Sequence, residues 1–208
     1  MKKVYALVLS TLFAVALFAQ NDPNAKKVLD AVSAKVKTFK GVTGSFSIKS
    51  INAKGKDNGT KTGSISLKGE KYLLKQGKTE IICDGAKVYN YDGSKTITVS
   101  SAAESDKTLS PQKLLSGSYD KEFTYKLVSS AGNFHEIELV PIDKKKNFQK
   151  VNIFVDKAKN IITKANVVDK SNNTIQFSFS NLNTSANLLD SLFVFNKAKY
   201  PADVEVLD

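Results

Sequence analysis

Apolar and polar residues alternate along this chain in short runs, and turns carrying glycine, asparagine or aspartate separate the runs. The densest case is Thr79 to Val99, where Ile81, Ile82, Val88, Tyr89, Tyr91, Ile97 and Val99 fall into three runs cut by Asp84-Gly85 and Asp92-Gly93. Asp-Gly favours tight hairpins whose two central residues both take positive φ, so the segment predicts a three-strand meander. Gly41 and Gly44 open a longer strand with Phe46, Ile48 and Ile51 at alternating or near-alternating positions. Period-two patterning gives one dry and one wet face. Further strands are predicted at Ile65 and Leu67, Tyr72 and Leu74, Phe123 to Leu127, Phe134 to Leu139, Val151 to Val155, Ile161 to Val168, and Ile175 to Phe179. Together these make about eleven strands, a spacing typical of a sandwich or barrel. One good helix precedes them. Asp22 caps it, Pro23 takes its first position, and Leu29, Val32, Val36 and Phe39 recur at spacings of three and four.

Ser101 to Asp120 lacks alternation. Ser110 and Pro111 can start a short helix that places Leu114 and Leu115 near one face before Gly117 ends it. Such an interruption of a β-meander is either a surface loop or a lid over an interior. A second weak helix is predicted over Ala186 to Leu189. At the start, Lys2 and Lys3 precede an apolar run from Val4 to Phe18 that ends near small residues, the layout of a cleaved signal peptide over residues 1–20. The alternative, an uncleaved anchor, is disfavoured because the run falls short of the roughly 20 residues a spanning helix needs. No cysteine stands at the end of the run, so the remainder, residues 21–208, is expected as one unlipidated, soluble domain in the exported compartment.

Net charge is +11, and removal of Lys2 and Lys3 with residues 1–20 leaves +9. Every basic residue is lysine. A nucleic-acid binder would use arginine for bidentate contacts, so nucleic acid is not expected as a partner; the lysines read as a solvated face with at most a transient attraction to anionic lipid. Cys83 is the sole cysteine and reads as a small buried residue. His135, the sole histidine, lies in an alternating strand beside Glu136 and Glu138. A nucleophile pair of Cys83 and His135 would require the fold to join them, and one histidine with one cysteine makes no structural zinc site. No enzyme activity, metal or cofactor is expected.

The opening helix is followed by Phe39 and the Phe46 strand, then by Asp84-Gly85-Ala86-Lys87-Val88-Tyr89-Asn90-Tyr91-Asp92 and by Pro111 with Leu114 and Leu115. The series continues through Leu139-Val140-Pro141, the strands from Phe148 to Val155, Asp169 with Asn172-Asn173-Thr174, and the ending Phe193-Val194-Phe195, Tyr200-Pro201, Val204 and Asp208. In the order and spacing of these residues the chain resembles the outer-membrane lipoprotein carrier proteins, the LolA-like family of the bacterial periplasm.

The resemblance implies a mainly β fold, an unclosed antiparallel barrel of about eleven strands with an N-terminal helix and short lid helices over an apolar cavity for acyl chains. It places Phe46, Ile48, Ile65, Leu67, Tyr72, Leu74, Tyr89 and Tyr91 around that cavity from the sheet, and Leu29, Val32, Leu114 and Leu115 from the helices. It also implies partners: lipoproteins bound by their acyl chains, an inner-membrane ABC transporter as donor and an outer-membrane acceptor, served by a monomer. The family's lid-latching arginine is missing; Lys68 or Lys71 is the nearest substitute, or else a solvated strand residue. A general exported binder of fatty acids and a lipoprotein-sensing module on the same fold are the alternatives.

Overall fold

The computed structural model describes residues 21–105, 111–116 and 119–208. The expected signal peptide, and Ser110 and Gly117 at the ends of the second helix, lie outside the described residues.

Helix α1 spans Pro23–Val36, and its N-cap is Asp22, whose carboxylate accepts from the Asn24 amide at 2.8 Å. Ala25, Leu29 and Val32 form its buried stripe. The strands are β1 (Val42–Ile51), β2 (Asp57–Lys68), β3 (Lys71–Gln76), β4 (Thr79–Cys83), β5 (Lys87–Tyr91) and β6 (Thr96–Ser101), then β7 (Phe123–Ser129), β8 (Phe134–Pro141), β9 (Phe148–Asp156), β10 (Ile161–Asp169), β11 (Thr174–Asn183) and β12 (Glu205–Leu207). Short helices α2 (Ala102–Ser105) and α3 (Pro111–Ser116) stand between β6 and β7.

All twelve strands form one sheet in the order β12-β6-β5-β4-β3-β2-β1-β11-β10-β9-β8-β7. It is antiparallel except where β12 runs parallel to β6. Eleven strands are those the alternation predicts. The twelfth is too short to carry a pattern. The sheet stays open because its edges, β12 and β7, do not pair, and register shifts in the β1–β11, β1–β2, β9–β10 and β7–β8 ladders add local bends. The β7 edge is nonetheless covered: the Tyr125 amide donates to Asn21 Oδ1 at 3.0 Å, the Asp22 amide to the Tyr125 carbonyl at 3.1 Å, and the Leu127 amide to Asp22 Oδ2 at 2.9 Å. An exposed ladder edge would invite association, and the cap of α1 blocks it.

Two local expectations need correction. Gly85 and Gly93 adopt positive φ, but Asp84 and Asp92 do not; each turn is closed by the aspartate carboxylate, which accepts from the amides of Ala86 and Lys87 or of Ser94, Lys95 and Thr96. The helix expected at Ala186 to Leu189 is extended chain, because the Ala186 amide donates to the Gly41 carbonyl and Ser185 bridges Gly41. A Cβ on Gly41 would lie 2.6 Å from the Ala186 carbonyl oxygen, so only glycine allows this approach.

Candidate functional site

The connection from β6 to β7 has to cross the sheet. β6 lies second from one edge and β7 forms the other. The strand registers also put the end of β6 and the start of β7 at opposite ends of the sheet. The segment carrying α2 and α3 therefore runs diagonally over one face, alongside α1. Topology, rather than composition, makes it a cover.

Beneath it the central part of the inner face is apolar. Phe46, Ile65, Leu67, Tyr72 and Leu74 from the sheet, with Leu29, Val32, Leu114 and Leu115 from the helices, belong to one buried cluster, and Ile48 packs against it. Leu114 is fully buried and Leu115 nearly so. The other half of the wall is equally apolar and sequence reasoning omitted it: Ile137, Leu139, Val151, Ile153, Val155 and Phe179 join the same cluster. Their strict alternation was the available signal. Gly63 lies opposite Phe46 in the β1–β2 ladder, and a Cβ there would sit 2.5 Å from the Phe46 ring, so the glycine leaves room for the aromatic.

Tyr89 and Tyr91 are on the opposite face. In the β3–β4–β5 registers Tyr72 faces Cys83 and Cys83 faces Val88, which places Val88 inward and its neighbour Tyr89 outward. Tyr89 stacks on Phe195 with centroids 4.4 Å apart, and Tyr91 meets Tyr200 edge-on at 5.0 Å. Both tyrosines anchor the C-terminal segment, whose Phe193 is fully buried with Leu73 and Ile82 in a second, outer cluster.

Among the described residues the space under the cover is small. A pocket among Val32, Val36, Val42, Leu115, Ile161 and Ile162 holds about 10 Å³, room for roughly one water. Several polar ties fasten the cover. The buried Tyr119 hydroxyl donates to the Leu114 carbonyl at 2.5 Å, and Lys113 pairs with Glu122 at 2.8 Å. Asp120 accepts from the Tyr125 hydroxyl at 2.6 Å and from Lys26 of α1 at 3.2 Å. The Tyr125 hydrogen bond first, then Lys26, holds the Asp120 carboxyl below the usual carboxylate range, while burial and Asp120 push Tyr125 up to about 12.

A family model described as outer membrane lipoprotein carrier protein LolA matches residues 36–196. The chain belongs to that family. An uncharacterized conserved protein from Thermus thermophilus shares the fold at 10% identity and TM-score 0.56, over 88% of this chain and 98% of its own. A candidate outer membrane lipoprotein-sorting protein domain from Vibrio parahaemolyticus does so at 15% identity and TM-score 0.50, over 82% of this chain and 97% of its own. No curated protein matches the chain.

In this LolA-family chain the partners of the candidate latch lysines, among the described residues, lie in the C-terminal segment. Lys71 pairs with Asp190 at 3.0 Å and Lys68 at 3.4 Å, and the Lys68 ammonium donates to the Leu188 carbonyl at 2.9 Å. They sit at the β2–β3 turn, where the C-terminal segment crosses the outer face, and the two ammoniums hold the Asp190 carboxyl low. Among the described residues, Lys26, Asp120 and Tyr125 tie the cover to α1 and β7, and no local motif announced them. Cys83 is 2% exposed on the inner wall, and burial raises its thiol pKa. His135 on β8 lies seven strands from Cys83 in the sheet order and contacts Ser130 at 2.9 Å, so the two do not form a nucleophile pair. Among the described residues no helix is long and apolar enough to cross a membrane.

Proposed function

We propose that this protein is a periplasmic carrier that holds lipoprotein acyl chains between the inner face of its sheet and the covering helices α1 and α3. The observation that supports this most directly is the pairing of a continuous apolar wall with a cover that is a separate crossing segment. A domain that needed only a core could bury these residues under a rigid layer. Here the layer beside α1 is only a six-residue helix and its flanks.

Each buried acyl methylene is worth about 0.8 kcal/mol, so a multiply acylated protein does not cross water unshielded. Non-covalent affinity nevertheless saturates near about 18 to 21 kcal/mol. Because the interior is already filled by its own side chains, acyl chains enter only by displacing the cover, and the lost packing offsets part of their transfer energy. That keeps the complex tight enough to carry and loose enough to deliver. The protein, exported by cleavage of its signal peptide, acts as a monomer that is loaded by an inner-membrane ABC transporter and unloads to an outer-membrane acceptor, with no chemical step of its own.

The test is release from spheroplasts of the source cell. Newly made outer-membrane lipoproteins should appear in the soluble fraction bound to the added protein. No release, together with palmitate binding as tight as that of any acylated peptide, would replace this reading with a general binder of apolar ligands.

A further inference from the structure

At the C-terminal end of α1 a second, polar cleft of about 630 Å³ adjoins the small apolar pocket. The two share Ile161, Leu182 and Thr184. Its rim carries Lys35 from α1, Lys159 and Asn160 from the β9–β10 turn, and Ser180 and Asn181 from the end of β11, while Phe179, buried in the main cluster, contributes to its floor. The volume falls in the range of small-molecule sites, about 300–1,000 Å³. Among the described residues neither lysine forms an ion pair, and both are exposed. Asn160 and Asn181 both take positive φ, at 52° and 54°, so the chain bends sharply on two sides of the same cleft.

We infer that this cleft is the portal of the carrier, where the polar head of an acylated ligand stays while its chains pass between Leu115, Val32 and Ile162. The inference rests on the carrier reading above. The occupant is the diacylglyceryl head of an acylated cysteine, whose two ester carbonyls are acceptors that bring no donor of their own. Two free ammoniums and two carboxamides supply donors in excess. The step from polar rim to apolar pocket matches the step in such a ligand from ester oxygen to methylene. The opposite end of the sheet also carries lysines, at Lys54 and Lys56, and these supply a control of equal charge.

The experiment titrates the purified exported protein with a synthetic dipalmitoyl-S-glyceryl-cysteine peptide and, separately, with N-phenyl-1-naphthylamine, a neutral apolar dye with no ester head. The double variant Lys35→Gln/Lys159→Gln should bind the peptide about tenfold more weakly and the dye unchanged, whereas Lys54→Gln/Lys56→Gln should alter neither. Circular dichroism confirms that each variant folds. Equal peptide affinity in the wild type and the portal variant overturns the portal while leaving the carrier intact. An equal loss in both double variants also overturns it, since net charge alone would then account for the effect. Failure of the wild type to bind the peptide overturns the carrier reading and the portal with it.

Discussion

Replacing Tyr119 by Phe tests whether the cover moves. The ring is 2% exposed and meets Phe123 edge-on at 6.2 Å, so Phe keeps the apolar packing and removes only the hydroxyl. That hydroxyl donates to the Leu114 carbonyl inside the closed interior. A helix as short as α3 leaves most of its carbonyls without helical partners, and losing the donor leaves a buried acceptor short by about 1–3 kcal/mol. Water satisfies the same carbonyl once the cover lifts, so the whole penalty falls on the closed state. Opening should become roughly 5- to 150-fold more populated. Cys83, the sole cysteine, supplies the assay because it is buried on the inner wall and its thiol is held protonated by burial. Maleimide labelling of Cys83 should accelerate by that factor, and the affinity for the dipalmitoyl peptide should rise in parallel, since the ligand selects the open state. Labelling at the wild-type rate, with peptide affinity unchanged or reduced, would refute a movable cover.

Phe193→Ala should cost about 3–5 kcal/mol, because the ring is fully buried against Leu73 and Ile82; thermal melts followed by circular dichroism should fall by roughly 2–4 °C per kcal/mol while peptide affinity holds, since this cluster lies on the outer face. Gly63→Ala drives a Cβ to 2.2 Å from the Lys75 carbonyl oxygen and onto the Phe46 ring, and urea unfolding should register a loss of about 1–3 kcal/mol. Glu138 lies between Lys150 at 2.9 Å and Lys126 at 3.0 Å, which hold its carboxyl below the ordinary glutamate range. A depressed carboxyl stabilises above its unfolded pKa and loses that contribution as pH falls through the folded one. Glu138→Gln should therefore be less stable than wild type at pH 7, and the gap should close under acid; a gap independent of pH would contradict the assignment.

The strands were legible because one face of most of them is wet, so period two survives in the sequence, as in Val151, Ile153 and Val155. It fails where both faces are covered. In Val88-Tyr89-Asn90-Tyr91 the tyrosines make the more apolar phase, and only the β4–β5 register, fixed by the turn at Asp84-Gly85, decides that Val88 points inward and Tyr89 outward. Lys68 and Lys71 look like free strand lysines locally, and their partner Asp190 is more than a hundred residues away. The cover could be suspected from the break in alternation at Ser101 to Asp120. Its necessity follows from which strands form the edges, and single-strand patterns carry no information on that order.

The two faces of the sheet are sealed by different means, and under the proposed carrier function this decides which one would open. On the outer face the C-terminal segment is held by the Phe193 plug, the Tyr89–Phe195 stack, the Tyr200 hydroxyl on Glu80, the Lys68 and Lys71 pairs with Asp190, and the ladder between β12 and β6. These contacts span the segment from Asp190 to Leu207, and the ladder adds backbone hydrogen bonds. On the inner face α3 is six residues long, far below the length at which an isolated helix persists in water, about 12–15 residues. Its structure depends on burying Leu114 and Leu115. In the proposed carrier, acyl chains that took the place of those two side chains would remove the reason for the helix to form, so occupancy and opening would be one event. Departure of the chains leaves an empty apolar interior, which the same two leucines refill. A carrier built this way needs no arginine latch to reset: dewetting the interior drives closure, and the rigid outer arm keeps the wall in place while the cover moves.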